Sequence, residues 1–343
     1  MRRALALVLF VAMSIPVGDA RAEEELARIV VLPFANLTGR QAAFERILPE
    51  FYDRLGTLGA EVVDHEEVRP LLRQHRIRAL GEIGRGDARL LRQETGARLA
   101  ILGSLDIYQP DRSLEVNVSA RVLDLETLTV RRAVSRGLSV QETESWFAVG
   151  RAPDVETVMR EVVASIVEQL EPFLTEEPPR REQYHTCGLV AVVPLDDYSN
   201  GRYAAEIVQN LLTAELVAND WSIVEPGFVR EILLDEQKVA RGGVSREVRE
   251  ILRRELGVCW VLTGDLAAFE VSPSGQEAAV PLLEFALRLV DARRGELSAT
   301  LEVRRDGDDG EGLFRRGREY SMARLTRTCL DDVIEWLRRE ADG

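Results

Sequence analysis

Lysine is almost missing from this 343-residue chain, with Lys238 standing alone among 44 basic side chains. A phosphate-cradling loop needs a lysine behind a glycine-rich turn. Lys238 instead follows Glu236-Gln237 in a helical stretch, so a P-loop is excluded. Histidine is as scarce, with only His65, His75 and His185. Metal centres draw on clustered His, Cys and carboxylates, and the one close pair, His185 and Cys187, reads as solvated. Asp306-Gly307-Asp308-Asp309-Gly310 starts like a calcium loop, but the position that needs a glutamate is Gly317. No Gly-x-Ser-x-Gly elbow occurs, and Gly81, Gly84 and Gly86 lie between helices, where a dinucleotide fingerprint does not belong. No catalytic residue, metal or cofactor is therefore expected.

Long apolar runs are also missing, apart from one at the amino end. Arg2-Arg3, an apolar run from Ala4 to Met13 and Ala20-Arg21-Ala22 form the three parts of a secretory signal. The expectation is export to the periplasm with cleavage after Ala22. No cysteine follows the run closely, so a lipoprotein anchor is not expected. Cleavage would remove three arginines and one aspartate, leaving 41 basic against 57 acidic residues and moving the net charge from −14 to −16. Such a surface excludes nucleic acid as a natural partner.

Cysteine is limited to three residues, so in an exported chain at least one stays unpaired. Cys259 lies in an apolar strand and Cys329 on the apolar stripe of the last helix, where both fit buried thiols. The alternative is a disulfide between Cys187 and Cys329.

What is present is said nearly twice. Leu91-Arg92-Gln93-Glu94-Thr95-Gly96 recurs 161 residues later as Leu252-Arg253-Arg254-Glu255-Leu256-Gly257, and Pro33, Val68-Arg69, Gly103 and Leu105 recur at the same offset. A period of this length is a whole domain rather than a solenoid unit. The expectation is an α/β protein of two tandem homologous domains, residues 23–171 and 187–343, after a signal peptide at 1–22 and joined by a linker at 172–186. Each would be a mixed sheet of about five strands in the order β-α-β-α-α-β-β-β-α, with helices packed on the sheet.

The continuous apolar run Ile29 to Phe34 predicts a strand covered on both faces. A helix is expected from about Gln41 to Leu58, a short strand at Glu61-Val62-Val63, and helices at 66–75 and 87–94, the last capped by Asp87 and ended by Gly96. Strands at 99–107, 114–123 and 130–140 follow, joined by hairpins. The closing helix carries Val155, Val158, Met159, Val162, Val163, Ile166 and Leu170 as one stripe. In its second copy the stripe begins at Met322 and the offset has grown to 167, which places six extra residues in the hairpin around Ser272-Pro273-Ser274-Gly275.

Two turns occupy the carboxyl ends of the first strands, where α/β sheets bind ligands. Asn36, Thr38, Gly39 and Arg40 form one; Asp197, Tyr198, Ser199 and Asn200 form the other. Tight turns and helix caps need the same residue types, so both readings stand. Trp146 and Phe147 are further candidates for a partner surface.

Val31-Leu32-Pro33-Phe34-Ala35-Asn36-Leu37-Thr38-Gly39, the block from Leu91 to Leu105 and Arg121-Val122-Leu123-Asp124 resemble the TolB amino-terminal-like and CsgG/FlgO/LpoB-like bacterial envelope domains. Val193-Pro194, Glu255 to Gly264 and Arg288-Leu289-Val290-Asp291 are similar in the second half. The resemblance implies a non-enzymatic envelope part, a periplasmic adaptor or scaffold for secretion, flagellar or cell-wall machinery. The chain departs from the curli-pore type in lacking the lipid-bearing cysteine and long barrel hairpins. Expected partners are envelope proteins, with a homo-oligomer left open. The alternative is a receptor binding a small molecule or glycan at the interdomain cleft.

Overall fold

A computed structural model of the chain describes residues 26–77, 81–110, 113–141, 154–175, 188–238, 243–271, 280–310 and 318–341. The first half contains strands β1 (Ile29–Val31) and β2 (Ala35–Asn36), helices α1 (Gln41–Phe44), α2 (Ile47–Thr57), α3 (His65–Gln74) and α4 (Arg85–Thr95), strands β3 (Leu99–Gln109), β4 (Ser113–Asp124) and β5 (Thr129–Gln141), and helix α5 (Val155–Leu170). The second half repeats the order with β6 (Leu189–Val192), β7 (Asp196–Asp197), α6 (Ala204–Ala218), β8 (Ser222–Ile223), α7 (Pro226–Asp235), α8 (Arg246–Leu256), β9 (Trp260–Glu270), β10 (Leu282–Asp291), β11 (Leu297–Asp306) and α9 (Met322–Ala341).

The result is mixed α/β with two sheets. The five-stranded sheet runs β1-β3-β4-β5 with β2 added to β3, and the six-stranded sheet runs β11-β10-β9-β6-β8 with β7 added to β9. The first strand of each half pairs in parallel with the central strand, and the last three form antiparallel meanders. The ladders repeat the sequence offset: Ile29 faces Leu99 as Val190 faces Trp260, and Ala35 faces Ser104 as Asp196 faces Asp265. Even the irregularities correspond, since Asp106 and Ala267 are both skipped by the register of their hairpins.

Local expectations hold with adjustments. Gly96 and Gly257 end α4 and α8 in the left-handed conformation, with φ of 66° and 68°. The helix expected over 41–58 is interrupted, giving α1 and α2. The segment at Glu61-Val62-Val63 contributes only an isolated bridge from Val62 to Ile29. Asp87 does not cap its helix, because α4 begins at Arg85 after Gly84. The amides of Arg85 and Gly86 donate instead to Glu231 in the other half, at 2.7 and 3.2 Å.

The proposed Cys187 to Cys329 bridge is not formed. Cys329 is a free thiol buried in α9, and that burial holds its pKa up at about 12. Cys259, expected as a free thiol, is disulfide-bonded; Cys187 lies outside the described residues.

Helices α2 and α5 cover one face of the first sheet, enclosing Ile29, Val31, Leu99, Ile101, Val118, Val122, Phe51 and Val162. The other face of that sheet is covered twice. Val30, Leu32, Ala100 and Leu102 share a core with Val68 of α3 and Leu91 of α4, while α6 of the second half packs across β4 and β5. That core continues without a break into the second sheet through Val192, Leu211, Leu287 and Leu330. Helices α6 and α9 thus stand between the sheets, and the two halves share one apolar core.

This explains a difference between corresponding helices. Helix α2 buries one stripe, Ile47, Phe51 and Leu55. Helix α6 buries eleven of its fifteen residues, as a helix packed on two sides must.

Candidate functional site

The two predicted turns adopt the same side-chain geometry. Asn36 Oδ1 accepts from the amides of Thr38 and Gly39 and from Thr38 Oγ1, at 3.2, 3.1 and 2.9 Å, and Thr38 Oγ1 accepts from the Arg40 amide at 3.1 Å. In the second half Asp197 Oδ1 accepts from the amide and hydroxyl of Ser199 at 2.9 and 2.7 Å, Ser199 Oγ accepts from the Gly201 amide at 3.2 Å, and Asp197 Oδ2 accepts from the Ala205 amide at 3.2 Å. These oxygens fix the turns and lead the chain into its helices.

The fold also brings the turns together. A Cβ on Gly39, whose φ is 69°, would stand 3.7 Å from Arg202 Nη1. Arg202 lies 4.9 Å from the Tyr203 ring centroid and donates to its hydroxyl at 3.1 Å. Tyr198, in the second turn, is 68% exposed, and Arg40 and Asn200 are exposed as well. Trp146 and Phe147 lie outside the described residues.

The most heavily used polar residues were not singled out from the sequence. On β4, Glu115, Asn117, Ser119 and Arg121 alternate with apolar residues, a pattern that ordinarily marks a solvated sheet face. All four are buried, because the second half covers that face. Arg121 donates through Nε and Nη2 to the two oxygens of Glu225, both at 2.6 Å, and through Nη2 to the Gly81 carbonyl at 2.8 Å. Asp106, re-aimed by its bulge, accepts from Ser104 and Ser119 at 2.5 Å each and from Asn210 of α6 at 3.2 Å. Burial pushes the Asp106 carboxyl up to about 6 against the opposing pull of those donors and of Arg121. Glu115 caps α9, accepting from the Ser321 hydroxyl and from the amides of Met322 and Ala323 at 2.8, 3.2 and 2.9 Å. Its pKa is raised by burial, against the lowering effect of those bonds. Glu82 is raised by burial too, with Arg230 and Arg121 opposing.

These carboxylates are satisfied by partners that fasten one half to the other. Among the described residues, no group of three His, Cys, Asp or Glu stands close enough to hold a metal ion, and no helix is long and apolar enough to cross a membrane.

The corresponding end strands β5 and β11 differ in cover. Strand β5 has no exposed residue from Val130 to Ser139. Strand β11 exposes Leu297, Ser298, Thr300, Glu302 and Arg304. A groove of about 540 Å³ runs between β11 and α9, with Leu301 and Val303 against Asp332, Glu335 and Arg339.

No protein-family model and no curated protein matches the sequence. Solved structures give partial likenesses. The PelC dodecamer of Paraburkholderia phytofirmans is 15% identical, covering 46% of this chain and 90% of its own, with a TM-score of 0.29. Lipoprotein GNA1162 of Neisseria meningitidis is 17% identical over 44% of this chain and 99% of its own, with a TM-score of 0.32. The LpoB C-terminal domain of Escherichia coli is 14% identical over 36% and 87%, with a TM-score of 0.26. At these identities and scores none of the three carries an argument about what this chain does.

Proposed function

We propose that this chain is an exported, non-enzymatic adaptor of the bacterial cell envelope, built from two copies of one α/β module and serving to hold other envelope proteins in place. One observation carries this reading: several buried ionisable groups are spent on locking the halves together, while a sheet edge and its flanking groove face outward. Arg121, Asp106 and Glu115 each bind the other half. A locked pair of modules presents surfaces at a fixed separation, which is what an adaptor needs.

The test is a surface scan in cells with a photo-reactive amino acid at single exposed positions. Crosslinks to one or a few envelope proteins from a contiguous patch support the adaptor. If no exposed position crosslinks to any protein, the reading fails.

A receptor for a small polar ligand is favoured by one feature, the meeting of Gly39 in the first turn with Arg202 at the end of the second, which also exposes Tyr198. Saturable thermal stabilisation by a glycan or metabolite, abolished by Arg202→Ala, would support it.

A further inference from the structure

Resting on the adaptor reading, we propose that β11 is the docking strand: an extended, basic segment of a partner protein pairs with its free edge and lays side chains into the groove beside α9. Among the described residues strand β11 pairs with β10 alone and ends the six-stranded sheet. Its register is unbroken from Ala299 to Asp306 and contains no proline. An edge of this length presents a row of N–H and C=O groups that only another extended backbone can satisfy in sequence.

The first half shows how this protein treats such a strand when no guest is wanted. Arg327 of α9 donates to the Ser135 carbonyl of β5 at 3.0 Å, and Arg324 donates to the Ser139 hydroxyl at 3.1 Å. Among the described residues α9 reaches β11 by hydrogen bond through Asp332 alone, which takes the Arg305 side chain at 2.6 Å and no backbone group, and Leu297 at the start of β11 is 59% exposed.

The groove defines the guest further. Leu301 and Val303 form an apolar floor beside α9. Arg305 is paired with Asp332 at 2.6 Å and Arg304 with Glu284 at 3.6 Å. Glu302, Glu335 and Arg339 make no ion pair among the described residues, which leaves an acidic excess along the groove. An apolar side chain over Leu301 and Val303, with a basic one near Glu302 or Glu335, complements it.

A second copy of the whole stack is a poor occupant. Asn210 of α6 meets the first sheet through Ser104 and Asp106, whereas 161 residues earlier α2 carries Pro49, which has no side-chain donor.

The test uses the full exported chain in cells, with the photo-reactive residue at Thr300 or Glu302, at Tyr198, and at Glu161 or Glu168 on the outer side of α5. The proposal expects a protein crosslink from the β11 positions and not from the others. Thr300→Pro and Leu301→Pro separate pairing from folding, since neighbouring N–H groups of a strand point to opposite edges. The variant that keeps the melting temperature should cut the β11 crosslink, read at Glu302, about tenfold, as the loss of one or two strand hydrogen bonds implies. Crosslinks arising only at Tyr198 or α5, or an unchanged β11 crosslink in both proline variants, overturn the docking site while the adaptor reading stands. A β11 crosslink to a second copy of this chain also overturns it. Silence at every position ends both.

Discussion

Arg121 and Glu225 lie 104 residues apart and meet as a two-point ion pair with both bonds at 2.6 Å, their side chains only 5% and 0% exposed. Arg121 stands on the first sheet, and Glu225 leads into the first turn of α7, where its carboxylate also accepts from the Gly227 amide at 3.4 Å. Removing one partner leaves a buried charge without its counterion. Arg121→Met should therefore cost about 3–5 kcal/mol in urea denaturation. The double variant Arg121→Met with Glu225→Met should recover most of that loss. Full additivity of the two single effects would show that the pair does not act as a unit.

Asp106 predicts a pH dependence. Its native pKa of about 6 lies above the ordinary 3.8, so the folded state holds the proton more tightly than the unfolded chain. Its contribution is full below about pH 4 and is lost as the pH rises through 6, at a cost of up to about 3 kcal/mol. Asp106→Asn keeps an acceptor for the two serine hydroxyls, which can rotate to suit it. The variant should be more stable than the parent at pH 8 and lose the advantage below pH 4. Glu115 is shifted in the same direction, so the quantity to measure is the difference between the two curves.

Two glycines should respond in opposite directions to alanine. At Gly227 a Cβ would meet the Ile83 carbonyl oxygen at 2.2 Å and its nitrogen at 2.6 Å, both backbone atoms of the other half. Gly227→Ala should cost about 1–3 kcal/mol by forcing α7 off that contact. At Gly56, inside α2, a Cβ meets nothing within 4 Å, so Gly56→Ala should gain about 0.5–1 kcal/mol. Melting curves of the two variants decide the matter.

The shared core predicts one cooperative unfolding transition for the pair. Residues 188–343 expressed alone would expose the side of α6 that packs on β4 and β5. That fragment should bind a hydrophobic dye and aggregate. A monomeric, cooperatively melting fragment would contradict the continuous core.

Cys329 should be unreactive to thiol reagents in the native protein and react once it is unfolded, because burial both shields the thiol and holds its pKa up at about 12. Rapid labelling under native conditions would place it at the surface.

Much of the fold was legible in the sequence. The glycines at 96 and 257 marked helix ends, and the stripes of α5 and α9 marked helices that lie on a sheet, because both signals arise from local backbone geometry and period. The turn residues were legible as turns, since Asn36 and Asp197 hydrogen-bond to amides only two to eight residues away. The seam between the halves was not. Glu115, Asn117, Ser119 and Arg121 have the spacing of a solvated strand face, and spacing does not reveal that another module covers it. One signal was available: α6 carries only two charged residues in fifteen, Glu206 and Glu215, whereas the shorter α2 carries three, although the two are corresponding helices.

The order of the elements and their polarity follow from local pattern, because hydrophobic period and helix-ending glycines act over a few residues. Which polar residues are buried, how the turns around Gly39 and Arg202 meet, and why β5 is covered while β11 is exposed among the described residues are matters of packing between distant segments. Those outcomes depend on contacts between residues about 100 or more apart along the chain, where burial and electrostatic pairing act with no trace in local pattern.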